Sequence, residues 1–319
     1  METNLNNSIA DKNEKEIDLK EIFGVLFDGK WLIIAITSAF SIAAVIYSLL
    51  LPNVYQSKTI LSPVGDSNMG GASSVLKSVG GIASLAGVNM SSNNTSTNAI
   101  KALEKLNTLS FFEKNILPNI FLPDLMAFDY WDASARKSVY DKNLFDEESE
   151  TWVRGFQYPQ TQVPSAQESY NIFVQHFRVS KDIETGFLTI TVKHQSPIVA
   201  QSWAEIIVSQ INLFFRSKAK KEAQAATDYL NMQMAQANFT EIKLVTAQLL
   251  QQKLQQLTVV EASDYYVFDI IDPPAVMERK SEPVRSLICI IGAFLGGVLG
   301  CIVALIRFYA FEKKDISNF

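Results

Sequence analysis

Two long apolar runs dominate the hydropathy pattern of this chain. Residues Trp31 to Leu51 (WLIIAITSAFSIAAVIYSLLL) and Leu287 to Ile306 (LICIIGAFLGGVLGCIVALI) carry no charge. Each is about 20 residues long, the length an α-helix needs to cross a ~30 Å hydrocarbon core. One shorter run would read as a core helix, whereas two of full spanning length predict two membrane spans. The first does not read as a cleaved signal peptide. It is too long, four lysines and seven acids precede it, and Leu49-Leu50-Leu51-Pro52 follows it in place of a small-residue cleavage site.

Between the runs the pattern predicts a mixed α/β domain. From Glu16 to Lys30, apolar Ile17, Leu19, Ile22, Phe23, Val25, Leu26 and Phe27 are interleaved with charges. That pattern fits a short amphipathic helix at the membrane interface or a helical extension of the span. Residues 54–64 (VYQSKTILSPV) read as a strand, as do Gly186–Val192 and Tyr265–Ile271. Residues 65–98 are rich in Gly, Ser and Asn and predict a loop-dominated insert, while 99–182 read as helical and irregular. Pro197 opens a stretch without proline or glycine that predicts one helix to about Leu257, on the order of 90 Å long. Its distal apolar stripe (Leu230, Met234, Ala237, Leu244, Leu249, Leu254) is thin and calls for a partner helix. The prolines of Asp272-Pro273-Pro274 end the last strand.

The expected organisation is a cytoplasmic segment 1–30, a span 31–51, an extracytoplasmic domain 52–285, a span 286–306 and a cytoplasmic tail 307–319. Lys15, Lys20 and Lys30 before the first span, against Lys58 after it, set that orientation. Composition sharpens the picture only slightly. The net charge of −5 argues against nucleic acid as a partner. Cys289 and Cys301, the only cysteines, lie in the second run, so the middle domain has neither a disulfide nor a thiolate metal site.

Candidate chemistry is sparse. Gly71-Ala-Ser-Ser-Val-Leu-Lys77-Ser78 imitates a phosphate-binding loop, but Leu76 stands where the second glycine is required. The acids Asp146, Glu147, Glu148 and Glu150 read as a solvated run, not a catalytic pair. His176 and His194 have no second ligand at metal spacing. No catalytic site, cofactor site or metal site is predicted. The informative pattern is Gly292, Gly296 and Gly300, a small-residue ridge at four-residue spacing that lets another helix approach closely in lipid. Ala35, Ala39 and Ala43 form a milder ridge on the first span.

The order of these elements resembles the Wzz family of polysaccharide co-polymerases, the chain-length determinants of O-antigen and related bacterial glycans. The likeness rests on Tyr55-Gln-Ser-Lys-Thr-Ile60 after the first span, and on Ser196-Pro197, Ala200, Trp203 and Asn212 at the start of the long helix. It also rests on the Gly80–Gly87 stretch and on Asp272-Pro-Pro274 with Ser281-Glu-Pro283-Val-Arg285, running into the glycine ridge. The resemblance implies an α+β inner-membrane protein: two transmembrane helices flanking a periplasmic α/β base domain with a long, coiled-coil-like helix. It implies a homo-oligomeric ring of about eight subunits, a membrane-embedded glycan polymerase as partner, contact with lipid-linked polysaccharide, and no catalysis. Pro273, Pro274, Pro283 and Arg285 then join the glycine and alanine ridges as packing and assembly residues. Kinase-type relatives continue into a cytoplasmic nucleotide-binding domain, which is not expected here since the sequence stops at Phe319. A capsule or exopolysaccharide export component of similar architecture is the alternative.

Overall fold

The computed structural model describes residues 19–64, 93–236, 239–263 and 265–309. The polar leader, most of the Gly-rich insert and the loop at 71–78 lie outside those residues. Two units result: Met1–Pro52 with Glu282–Phe319, and Asn53–Ser281.

The first unit is helical. Helix α1 (Leu19–Asp28) runs through Gly29, whose N–H donates to the Val25 carbonyl at 2.9 Å, into α2 (Lys30–Leu50). The last helix of the chain, α8 (Arg285–Arg307), packs along α2. Between them, α2 and α8 contain both apolar runs.

The second unit is built on a four-stranded antiparallel sheet in the order β6-β7-β1-β8. Strand β1 (Tyr55–Pro63) pairs with β7 (Leu188–His194) on one side and β8 (Phe268–Asp272) on the other, and β6 (Phe177–Lys181) flanks β7. The β1–β7 register sets Ser57 opposite Val192, Thr59 opposite Ile190 and Leu61 opposite Leu188, all buried. Helix α6 (Pro197–Gln236) crosses that face with Val199, Trp203, Ile207, Ile211 and Phe215, a four-residue spacing that keeps one apolar stripe on the sheet. Burying each of these side chains stabilises the fold by about 1.5–3 kcal/mol. Helix α3 (Asn93–Leu106), the helical turns from Leu109 to Asn119, and α5 (Ala166–His176) complete the same core through Ala102, Leu106, Phe111, Phe112, Ile116 and Phe173. Ser165 and Glu168 close a capping box at the start of α5, and Glu168 also pairs with Arg154.

Two expectations are corrected. The helix expected from 197 to about 257 is two helices: α6 ends at Gln236 and α7 spans Thr240–Ala262. Phe239 between them has extended backbone (φ −101°, ψ 136°). Helix α7 returns along α6, so Arg216 donates from Nε to the Val260 carbonyl (3.1 Å) and from Nη2 to the Glu261 carbonyl (2.9 Å). Lys220 pairs with Glu261 at 2.5 Å. The pairing half-buries Leu230 and Met234 of the thin apolar stripe, while Leu244, Leu249 and Leu254 stay exposed. The region 99–182 is also not purely helical and irregular. After α4 (Leu122–Met126) it holds hairpins β2–β3 (Phe128–Asp132, Lys137–Tyr140) and β4–β5 (Phe145–Asp146, Thr151–Trp152), and it contributes β6 to the sheet.

Three described helices, α2, α6 and α8, are long and apolar enough to cross a membrane. They differ in where that surface goes. Half of the apolar window of α6 is buried within the protein, against 6% for α2 and 17% for α8. Helix α6 spends its apolar stripe on a core.

Candidate functional site

The glycine ridge forms the closest approach between α2 and α8. A Cβ placed on Gly292 would lie 2.4 Å from the Ala44 Cβ, and one on Gly296 would lie 2.7 Å from the Phe40 Cβ and 3.0 Å from the Thr37 Cα. At Gly300 the neighbour is the Ile33 Cα at 3.1 Å, and one turn on, Gly29 of the α1–α2 junction faces the Ala304 Cβ at 3.0 Å. The partner falls back along α2 as the position advances along α8, so the helices are antiparallel. Gly296, Gly300 and Ala304 are buried. Ala35, Ala39 and Ala43 are exposed, on another face of α2. The two ridges therefore do not meet within the chain, and the glycines pack on Ile33, Thr37, Phe40 and Ala44 instead. Phe294, Ile290 and Ile306 stand exposed on α8.

Of the predicted prolines, Pro274 is buried and Pro273 exposed. Their segment is held beside β1 by hydroxyls. Thr59 Oγ1 donates to the Asp272 carbonyl (2.8 Å) and Ser57 Oγ to the Ala275 carbonyl (3.1 Å). The segment then returns to the start of β1: the Ser281 N–H donates to the Val54 carbonyl (2.8 Å), and Lys280 Nζ to Asn53 Oδ1 (3.1 Å). The chain thus enters and leaves the sheet unit at one place. Pro283 and Arg285, both half-buried, belong to the helical unit, where Arg285 is the first residue of α8.

A polar node that the sequence did not reveal lies where β7 passes into α6. His194 is 2% exposed and packs against Trp203 and Phe128. Its Nδ1 accepts from the Ser196 N–H at 3.0 Å, so its proton sits on Nε2, which donates to the Asp124 carbonyl at 3.0 Å. Burial, aided by nearby His176, pushes this imidazole down to about 4. Unfolded histidine titrates near 6.5, so the unfolded chain binds the proton first as pH falls. The node contributes fully at neutral pH, and about 3 kcal/mol is lost as pH drops from ~6.5 toward ~4. Burial raises the Asp124 carboxyl, which offsets this only at the lower end of the window. Urea midpoints measured between pH 7 and 4 should fall accordingly, and a flat profile would refute the assignment.

The Asp124 carboxyl, which accepts from the Tyr140 hydroxyl at 2.8 Å, lines a cavity of about 470 Å³ within the sheet unit. Burial and the adjacent carboxylate raise the Tyr140 hydroxyl. Trp131, Phe121, Arg136, Glu147 and Glu150 also line the cavity. The acidic run is thereby divided. Asp146 stays in its turn, held below the usual carboxylate range by Ser149 Oγ at 2.6 Å, while Glu147 pairs with Lys137 at the cavity. No motif could have signalled this site, because residues 121–150 meet 196–199 only in the fold.

Comparison with known proteins places these features. The Wzz model, chain length determinant protein, matches residues 15–110, which contain α1, α2 and β1. The GNVR model, a G-rich domain, matches residues 236–309, which contain α7, β8 and the glycine ridge of α8. A solved full-length bacterial polysaccharide co-polymerase aligns over 92% of this chain and 98% of its own, at 13% identity and a TM-score of 0.44. No curated protein matches the chain. The chain length determinant model thus takes in α2 and the strand that follows it, and the G-rich-domain model takes in α8, two matches that support a Wzz-type family of chain-length determinants.

Proposed function

We propose that this protein is a polysaccharide co-polymerase that sets the modal chain length of O-antigen or a related lipid-linked glycan, acting with a separate membrane polymerase and catalysing nothing itself. The chain length determinant match over residues 15–110 carries the reading. In it, α2 and α8 are the two spans, the sheet unit is periplasmic and both termini are cytoplasmic. Residues 53–54 and 280–281 lie side by side, which supports two spans connected to the domain at neighbouring points of its chain. The half-buried apolar window of α6 supports placing that helix outside the lipid. In the assembled form, a ring of about eight subunits, the exposed face of α2 with Ala35, Ala39 and Ala43 and the exposed apolar side of α8 are the surfaces left for neighbouring subunits and the polymerase. Pro273, Pro274, Pro283 and Arg285 set how the chain passes between domain and span.

Deleting the gene tests this directly. The surface glycan should persist, with its ladder on a gel losing its modal band and shifting to an unregulated, mostly short distribution. Complete loss of surface polymer would favour export in place of length control. An unchanged ladder would end the proposal.

A further inference from the structure

The cavity beside Asp124 has an unusual feature in its backbone. Among the described residues, only Arg136 (φ 50°) and Glu150 (φ 51°) are non-glycine residues in the left-handed region. Arg136 sits in the turn of the β2–β3 hairpin and Glu150 in the turn of β4–β5. Both line the same cavity. Glycine would adopt either position without strain, and a long charged side chain there costs stability. Two such residues at one cavity point to a task that needs their side chains.

The other walls show what that task is. Trp131 lines the cavity, and among the described residues its indole stacks on no other ring and makes no hydrogen bond. Among the described residues Arg136 and Glu150 have no ion-pair partner, whereas Lys137 and Glu147 neutralise each other. The lining carries three carboxylic acids (Asp124, Glu147, Glu150) against two cations (Arg136, Lys137), too balanced to attract a polyanion. An unpartnered indole, planar groups that donate and accept, and near-neutral charge match a ligand with an apolar C–H face edged by hydroxyls. Its volume falls within the ~300–1,000 Å³ of ordinary ligand clefts.

We propose that this cavity is a saccharide-binding site in which Trp131 stacks on a sugar ring while Arg136 and Glu150 hydrogen-bond its hydroxyls. Its natural ligand is a short segment of the glycan whose length the protein governs, an identification that rests on the function proposed above. Asp124 and Tyr140, tied to each other and through the Asp124 backbone to His194, hold the floor of the site rigid.

The test uses the full-length protein in detergent. The probe is the mixture of one- to three-repeat oligosaccharides released by mild acid from the host's own surface glycan. Calorimetric titration should show binding at millimolar concentration, with about tenfold or greater weakening in Trp131→Ala and near-retention in Trp131→Phe. The glycine variants provide the sharper reading. Arg136→Gly and Glu150→Gly should each raise the melting temperature by roughly two degrees while weakening the oligosaccharide severalfold. A purely structural role would move both quantities the same way. No binding at about 10 mM, or binding undiminished in both Trp131→Ala and Arg136→Gly, would overturn the proposal. The deletion ladder separates the two claims. An altered ladder without oligosaccharide binding sinks this site alone, and binding beside an unchanged ladder sinks the length-control reading alone.

Discussion

Replacing Asn212 with leucine should lower the melting temperature of the protein by roughly ten degrees. Asn212 sits on α6 with 5% exposure, where its amide oxygen accepts three backbone N–H groups: Tyr266 (3.3 Å), Val267 (2.9 Å) and Phe268 (3.0 Å). Its Nδ2 donates to the Phe268 carbonyl at 3.0 Å and the Val208 carbonyl at 3.3 Å. One side chain thereby fastens the long helix to the start of β8. Leucine has similar volume, but it strands these backbone groups in a buried place, costing about 4 kcal/mol when each orphan costs ~1–3. Asn212→Asp keeps the acceptor but turns a second carboxyl oxygen toward the Phe268 and Val208 carbonyls, so it should also lose stability, and lose more of it as pH rises and the buried carboxyl ionises. Differential scanning fluorimetry distinguishes the three proteins. A leucine variant melting within two degrees of wild type would show that water replaces the amide.

Gly296→Leu should broaden or shift the glycan ladder while leaving expression intact. The hydrogen it replaces points at the Phe40 Cβ and the Thr37 Cα, at distances where no Cβ fits without movement. Neither obstacle can swing away, because one is backbone and the other the root of a side chain. The antiparallel helices must then separate or slide, at about 1–3 kcal/mol for overpacking of this kind. With both helices in lipid, as proposed above, that cost has no hydrophobic compensation, since close packing is what holds such a pair together. Gly297→Leu is the matched control, because its nearest neighbour is the Thr37 hydroxyl at 3.8 Å. Equal ladders for the two variants would remove the helix contact from the mechanism.

What could be read from sequence followed the physics of each signal. Strands β1, β7 and β8 alternate or carry β-branched runs, and the sheet uses all three. Strand β6 and the hairpins were not foreseen because β2 to β5 have five residues or fewer, too few to show a period. The break before α7 was missed for another reason. Ala237-Asn238-Phe239-Thr240 contains neither glycine nor proline, and what draws α7 back along α6 includes polar contacts of Arg216 and Lys220 with residues 260–261, far away in sequence. The glycine ridge was legible, but its mate was not. Which face of α2 it meets depends on the rotation of α2 about its axis, a tertiary quantity that composition cannot carry. The cavity was hidden further still, since its positive-φ turns use Arg136 and Glu150, where the habitual glycine would have flagged them.

The closure of residues 53–54 on 280–281 makes the sheet unit a loop sealed at its own neck. Such a module keeps its strand register whatever is attached below the seal. A chimera that grafts it onto a foreign helical hairpin would preserve its interior, so the helical part and the globular part are free to diverge at different rates.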